Sequence, residues 1–100
     1  MLVIAGTIPF DPAHRDAFHA ACVALQQATR AEEGCLLYAF SADLEDPGVV
    51  HIIEKWTSEE ALLEHFAQPH MAAFREAGSS AGLGKSSMLK YQVSSEGPVR

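Results

Sequence analysis

The chain has few basic residues and no long apolar run, and these two shortages exclude whole classes of protein. Its 100 residues include seven Lys and Arg against thirteen Asp and Glu, which gives a formal net charge of −6. This balance disfavours binding to nucleic acid or to an anionic membrane surface. No apolar run approaches the roughly 20 residues of a membrane-spanning helix. The first ten residues, MLVIAGTIPF, lack the features of a signal peptide, so we expect a cytoplasmic protein.

Cysteines and nucleotide-binding motifs are scarce too. Cys22 and Cys35 are the only cysteines, and their apolar surroundings predict free buried thiols instead of a disulfide. The segment 79–86, SSAGLGKS, ends like a phosphate-binding loop, but Ser79 stands where that motif needs its first glycine. The segment also follows a predicted helix and precedes a predicted strand, the reverse of the order that phosphate binding requires. We therefore predict no nucleotide cofactor.

What the chain does contain is an alternation of strand and helix patterns. The apolar spacing and turn signals predict strand 2–10, helix 11–33, strands 35–40 and 49–56, helix 57–78 and strand 87–93. Asp11 should cap the first helix and Gly34 should end it in a left-handed conformation. Thr57 and Glu60 fit a capping box at the start of the second helix, which Pro69 should interrupt.

The order strand, helix, strand, strand, helix, strand is that of a ferredoxin-like fold. Such a fold is an α+β sandwich, with a mainly antiparallel four-stranded sheet and both helices on one face. We predict a single domain over residues 1–94 and a disordered tail over residues 95–100.

The two middle strands are apolar on both faces, which predicts a partner for the sheet. In the segment 35–40, Leu36, Tyr38 and Phe40 should lie on one face and three further apolar side chains on the other. The segment 49–56 is likewise apolar on both sides. Because two helices cover only one face, a second copy should cover the other. We therefore predict a homodimer through the sheet face.

A small group of polar residues is embedded in this apolar sequence. Glu54 shares a strand face with Ile52 and Trp56. His65 lies on the apolar side of the second helix, and His70 follows just beyond the proline break. If this helix packs on the Trp56 face, the carboxylate, the indole and one or two imidazoles converge between helix and sheet. An apolar lining with a few placed polar groups is typical of a small-ligand site.

A purely structural interpretation of the same residues stays open. Glu54 could pair with Arg75 or Lys55, and His65 could be a hydrogen-bonded core residue. Metal binding is disfavoured because His65 and His70 are five residues apart, a spacing that a continuous helix does not direct at one ion. Only the proline break could bring the two rings together. The sequence therefore predicts no metal site.

Four motifs of the chain are similar to those of a known family. They are EGCLLY at 33–38, EKW at 54–56, EAL at 60–62 and HFAQPHMAAF at 65–74. Together they resemble the antibiotic biosynthesis monooxygenase family, including its quinol monooxygenases. The resemblance implies a ferredoxin-like dimer that forms an α+β barrel. It also implies oxidation of a quinol or a polycyclic phenol by dioxygen, with no metal, flavin or haem.

The resemblance also implies roles for the polar cluster. A deprotonated quinol can itself reduce dioxygen, so the protein need supply only a base and a dry pocket. His65, His70 and Glu54 are the candidate bases, and the resemblance does not choose among them. The residues assigned to the pocket that holds the small aromatic substrate are Trp56, Tyr38, Phe66 and Phe74.

Two other functions are known or conceivable for this fold. A haem-degrading branch of the superfamily uses an Asn, a Trp and a His. Here the position of that Trp falls on His65, the position of that His falls near Arg75, and the first strand contains no Asn. Haem degradation is therefore disfavoured. The main alternative is a small-ligand-binding or signalling dimer with no catalysis, in which the polar cluster would be closed by internal pairing without a cavity.

Overall fold

Four strands and three helices alternate along the chain in the predicted order. The computed structural model describes all 100 residues. Its elements are β1 (Leu2–Pro9), α1 (Arg15–Arg30), β2 (Cys35–Ala42), β3 (Val49–Trp56), α2 (Glu59–Phe66), α3 (Pro69–Ser80) and β4 (Ser87–Gln92). The strands form one sheet in the order β2-β3-β1-β4, and every neighbouring pair is antiparallel. The predicted ferredoxin-like α+β fold is confirmed. None of the helices is both long enough and apolar enough to span a membrane.

Asp11 caps the first helical turn as predicted, but α1 itself begins later and ends earlier than the predicted helix 11–33. The Asp11 carboxylate accepts a hydrogen bond of 2.9 Å from the Ala13 N–H and caps a short 3-10 turn that leads into α1. The helix ends at Arg30, three residues before the predicted end. A turn follows the helix and brings Gly34 next to Thr57, at the end of the third predicted strand. There the Gly34 carbonyl accepts a hydrogen bond of 2.9 Å from the Thr57 N–H. Gly34 does have the predicted left-handed φ of 88°, but it leads into β2 instead of ending α1.

The second helical region begins one residue later than predicted and is split in two. Ser58, not Thr57, is the cap, and its hydroxyl accepts from the Ala61 N–H at 3.1 Å. The backbone N–H of Thr57 donates to the Gly34 carbonyl at 2.9 Å, so Thr57 lies at the end of the strand and the helix begins one residue later. The predicted interruption at Pro69 is confirmed: α2 ends at Phe66, and Pro69 opens α3 as its first residue. A residue before proline avoids helical geometry, so the chain changes direction between the two helices.

The second helical region ends later than predicted. Gly78 was expected to end it, but α3 continues to Ser80. Gly78 lies inside the helix because the chain folds back over it: a Cβ there would lie 2.8 Å from the Leu83 side chain. The absence of a side chain serves close packing at this position, not helix termination.

The two faces of the sheet differ sharply in environment. Leu2, Ile4, Ile52 and Trp56 lie on the inner face and form the core with apolar side chains of the helices. On the outer face four large apolar side chains remain exposed, namely Leu37, Ile53, Leu89 and Tyr91. Both faces are therefore apolar, as the sequence indicated.

A β-bulge alters the predicted faces at the start of β2. Cys35 lies opposite Trp56, but Leu37 lies opposite Lys55, so one extra residue is inserted between them. Leu36 therefore does not share a face with Tyr38, and the prediction that it does was wrong. Cys35 turns towards the core instead. It is half-buried and Cys22 is buried, and both are free thiols, so no disulfide forms.

Gly6 offers a test of how tightly the sheet is built around the core. A Cβ at Gly6 would collide with the Ser87 carbonyl and would lie 2.8 Å from the Met88 Cα, both backbone atoms of β4. We expect Gly6→Ala to lower the free energy of unfolding by about 1–3 kcal/mol because β4 must shift. Urea denaturation measures the loss. Gly97→Ala, with nothing within 4 Å, is the control, and an equal effect of both substitutions would contradict the assigned packing of β4.

Candidate functional site

A cavity of about 340 Å³ lies between the inner face of the sheet and the two helices that follow it. Ten of its fifteen lining residues are hydrophobic, so an organic ligand would find a largely apolar wall. The polar groups in that wall are few, and they include Tyr38, Glu54, His65 and Arg75. The cavity is the enclosure that the sequence predicted between helix and sheet.

Five of the seven residues predicted for the site line this cavity. They are Tyr38, Glu54, His65, Phe66 and Phe74. The other two, Trp56 and His70, do not. Trp56 is fully buried behind the wall, where its ring lies 4.7 Å from the ring of His65. His70 faces the opposite side of His65 and borders a depression on the protein surface.

Glu54 is a buried carboxyl group without a cationic partner. It projects from the inner face of β3 between Ile4 and Tyr38 on the neighbouring strands, and it is only 5% exposed. One oxygen, Oε1, accepts a hydrogen bond of 2.9 Å from the Trp56 indole N–H. The alternative in which Glu54 pairs with Lys55 or Arg75 is not what the structure shows: Lys55 pairs with Glu96, and Arg75 forms no ion pair.

Burial sets the acidity of this group. Loss of hydration raises the pKa of Glu54 from 4.5 to about 7, and the nearby charge of Glu32 acts in the same direction. The hydrogen bond from Trp56 opposes the rise. Glu54 can therefore exchange a proton near neutral pH, a property that proton-transfer chemistry requires.

His65 is the most firmly held polar group of the cavity. It is 1% exposed, and its ring also lies edge-on to the Tyr38 ring at 5.4 Å. Its Nδ1 is 2.7 Å from Oε2 of Glu32. Burial lowers the pKa of His65, although the hydrogen bond and charge of Glu32 partly oppose this. The ring is therefore neutral near pH 7.

The contact with Glu32 indicates which nitrogen of His65 carries the proton. Carboxylate oxygens accept hydrogen bonds, so we assign Nδ1, at 2.7 Å from Oε2, as the donor of this pair. In a neutral ring Nε2 then carries the lone pair. Nε2 has no hydrogen-bond partner in the protein, and His65 forms part of the cavity wall. The arrangement leaves a proton acceptor available to a bound ligand.

Glu32 is the member of the polar cluster that sequence reasoning missed. It lies in the turn between α1 and β2, and its Oε2 also meets Nε2 of His70 at 2.6 Å. The predicted cluster of Glu54, His65 and His70 is therefore two separate groups, because the histidines share Glu32 while Glu54 pairs with Trp56. Glu32 lies inside the predicted helix 11–33, but α1 ends at Arg30, so helical spacing does not give the direction of its side chain. The one usable signal was its position just before a strand that pairs with the strand ending at Trp56.

Comparison with known proteins assigns the chain to a family. Residues 1–77 match the antibiotic biosynthesis monooxygenase family. The chain belongs to this family, and the resemblance found in its motifs is confirmed. It is also 31% identical over 75 residues to an uncharacterized protein of Synechocystis sp.. That match covers 75% of the chain but 51% of the relative, so the chain spans about half the length of this relative.

Solved structures agree with the assignment. A Deinococcus radiodurans protein that carries the same family name has a TM-score of 0.91 and 29% identity, with 100% of this chain and 99% of that one covered. A Pseudomonas aeruginosa protein has a TM-score of 0.83 and 31% identity, with coverage of 93% and 94%. A Mycobacterium tuberculosis protein, Rv0793, has a TM-score of 0.84 and 25% identity, with coverage of 97% and 98%.

The buried carboxyl group of Glu54 predicts a specific dependence of stability on pH. Its pKa is higher in the native protein than in the unfolded chain, so between about pH 4.5 and 7 the native state holds a proton that the unfolded state has lost. Stability should fall across this range as pH rises, by on the order of 3 kcal/mol. Glu54→Gln keeps an acceptor for Trp56 and removes the titration, so it should be more stable than the native chain at pH 8.

Urea denaturation at pH 4 and pH 8 measures this difference. The exposed residue Glu45 provides the matched control, because Glu45→Gln removes one carboxylate that is in contact with solvent. The pH dependence of Glu45→Gln should equal that of the native chain. If Glu54→Gln also retains the full native pH dependence, the assignment of a raised pKa to Glu54 is wrong.

Proposed function

We propose that this chain is a cofactor-independent monooxygenase that oxidises a quinol or a small polycyclic phenol with dioxygen in the cavity between helix and sheet. The observation that carries the proposal is the imidazole of His65, anchored through Nδ1 to Glu32 in the wall of an apolar cavity. Membership of the monooxygenase family supports the reaction class. The substrate, the turnover and the roles of individual residues are part of the proposal.

The cavity favours a compact aromatic ligand. Its volume of about 340 Å³ lies near the lower end of the 300–1,000 Å³ that is usual for organic ligands. Phe40, Phe66 and Phe74 contribute aromatic surface to its wall, against which a flat ring system can stack. The polar side chains of the wall, Tyr38, Glu54, His65, Arg75 and Ser86, would orient a hydroxyl group of the ligand.

In the proposed reaction His65 acts as the base. Its Nε2 accepts the proton of a substrate hydroxyl, and Glu32 stabilises the resulting imidazolium from the other side of the ring. Tyr38 can donate a hydrogen bond to the phenolate because burial raises the pKa of its hydroxyl and keeps it protonated. Arg75, which borders the cavity without an ion pair, supplies positive charge near the phenolate. Glu54 is the second proton-exchanging group of the cavity.

The electrons for reducing dioxygen come from the substrate. With a quinol the reaction is that of an oxidase: the quinol gives up two electrons and two protons, which leaves the quinone and converts dioxygen to hydrogen peroxide without transfer of an oxygen atom. In a polycyclic phenol with an activated ring CH₂ group, the deprotonated ring transfers one electron to dioxygen, and superoxide then bonds to that carbon. The resulting peroxide anion takes the proton back from His65. The hydroperoxide that forms loses water by breaking its O–O bond and the adjacent C–H bond, so one oxygen atom remains in the product as a ketone.

Oxygen consumption tests the proposed base. With a panel of hydroquinones and polycyclic phenols, we expect His65→Gln to lower the turnover number by about 10²–10⁴-fold, the range for loss of a general base. Glu54→Gln should lower it less, because it keeps the hydrogen bond to Trp56. The control is His51→Asn, which changes an exposed histidine that pairs with Asp43 at 2.7 Å. An oxygen electrode and a peroxide assay measure turnover and separate the two product routes.

The same assay decides between catalysis and simple ligand binding. A substrate that consumes oxygen faster than buffer, with the rate lost in His65→Gln and kept in His51→Asn, supports the monooxygenase. If no compound is oxidised but several bind in the cavity by calorimetry, the proposed reaction fails and the ligand-binding alternative takes its place. Turnover that a chelator abolishes would contradict the cofactor-independent route.

We also propose that the outer face of the sheet forms the homodimer that the resemblance implies. Ile53, Ala5 and Leu89 face one another across three adjacent strands and form an apolar row on this face. Exposure of this apolar surface to water is unfavourable in free energy, and a second copy of the chain would bury it in a dimer interface. Leu63 on α2 is also exposed but belongs to a helix on the opposite side of the sheet.

Sedimentation of surface variants tests this dimer. Ile53→Lys should convert a micromolar sample from dimer to monomer or prevent folding, because a buried unpaired charge is strongly unfavourable. Leu89→Lys, nearer the edge of the sheet, is the milder second variant. Leu63→Lys should remain dimeric. A native chain that sediments as a folded monomer at micromolar concentration would overturn the proposal.

A further inference from the structure

The side chains of Glu32, His65 and His70 form a compact cluster of possible metal ligands. The ligand-type atoms of the three side chains all lie within 4.8 Å of one another. They come from three separate segments, namely the turn before β2, the end of α2 and the start of α3. The spacing of the histidines in the sequence disfavoured a metal site, but the break between α2 and α3 turns His70 back towards His65.

We infer that Glu32, His65 and His70 form a binding site for one divalent transition-metal ion of the zinc type. Two imidazole nitrogens and one carboxylate oxygen are the donor set that Zn²⁺ and its neighbours prefer, and three protein ligands leave a further position for water. Hard cations such as Mg²⁺ and Ca²⁺ prefer an all-oxygen set. The donor set therefore selects the class of ion.

Two of the ligands are held in place before any ion arrives. His65 is fixed between the rings of Trp56 and Tyr38. Glu32 is held by its backbone, since its N–H bonds to the Thr29 carbonyl at 2.9 Å and its carbonyl accepts from the Cys35 N–H at 3.2 Å. A preorganised ligand loses little freedom on binding. Nδ1 of His65 and Nε2 of His70 both lie at hydrogen-bond distance from Oε2 of Glu32. The three side chains therefore need to move apart only slightly to admit an ion between them.

An ion can reach the cluster without passing through the substrate cavity. Glu32 and His70 border a depression on the surface together with Glu33 and Glu64. The side chains of Glu32 and His70 remain 11% and 21% exposed there, whereas His65 is closed off. Acidic side chains at the mouth of a depression concentrate cations. The metal ion would thus bind on the Nδ1 side of the His65 ring, and the substrate would bind on the side that lines the cavity.

Occupation of this site would switch off the proposed base. A metal bound to Nδ1 of His65 uses the lone pair of that nitrogen, so the ring proton must move to Nε2. Nε2 then has no lone pair and cannot accept the substrate proton. The ion would act as an inhibitor that competes with the hydrogen bond to Glu32, not with the substrate. This consequence rests on the proposed function, whereas metal binding itself does not.

Binding is tested directly with Zn²⁺ and Co²⁺. Zn²⁺ affinity is measured by competition with a chromophoric chelator, and Co²⁺ is followed by its visible absorption. We expect one ion per chain and a rise in melting temperature with added Zn²⁺. Removal of one ligand in His70→Asn or Glu32→Gln should weaken binding by at least 10–100-fold, the loss usual for residues that only support a ligand. His51→Asn removes a surface histidine–carboxylate pair and should bind like the native chain.

The outcomes separate this inference from the proposed function. No stoichiometric Zn²⁺ binding by the native chain, or equal affinity in His70→Asn, overturns the metal site whatever the oxygenase assay shows. If a substrate is found, Zn²⁺ should lower its turnover in the native chain and in His51→Asn but not in His70→Asn. Inhibition that persists unchanged in His70→Asn would also overturn the assignment. Circular dichroism confirms that each variant is folded.

Discussion

The arrangement of this site depends on one carboxylate oxygen, Oε2 of Glu32, which holds two histidines from separate helices. His65 lies at 2.7 Å and His70 at 2.6 Å from it. Without this oxygen, nothing in the protein would fix the proton of His65 on Nδ1, and the break between α2 and α3 would lose its polar connection to the turn before β2. The same contact therefore orients the proposed base and joins three segments of the fold.

Glu54 is also a buried carboxyl group, but its environment differs from that of Glu32. Glu32 keeps two nitrogen partners and some solvent contact, whereas Glu54 has one neutral donor, Trp56, and an apolar surrounding. The cost of charge in that surrounding raises the pKa of Glu54 towards neutrality. A fold selected only for stability would place an apolar residue there. The retention of two differently held carboxyl groups beside one imidazole is consistent with a site for proton transfer.

The sequence predicted the fold better than it predicted the site. The order of elements, the inner face of β3 and the break at Pro69 follow from periodicity and proline chemistry, which act locally. The bulge that displaces Leu36 and the shift of the cap from Thr57 to Ser58 depend on contacts between strand ends, which no local pattern records. Glu32 was missed because the predicted helix ran to residue 33, whereas α1 ends at Arg30 and leaves Glu32 in a turn without a period. Five of the predicted residues line the cavity because spacing gives direction within an element, but Trp56 and His70 are kept from it by the packing between elements.

The central claim is that His65 is a neutral imidazole with its proton on Nδ1, held there by Glu32. Long-range ¹H–¹⁵N correlation spectra of the uniformly labelled protein at pH 7 measure this most directly, because the two ring nitrogens have different shifts when protonated and unprotonated. The account predicts a protonated Nδ1 and an unprotonated Nε2 for His65, with the pattern lost in Glu32→Gln. A ring that carries its proton on Nε2, or that is doubly protonated at pH 7, would contradict the account.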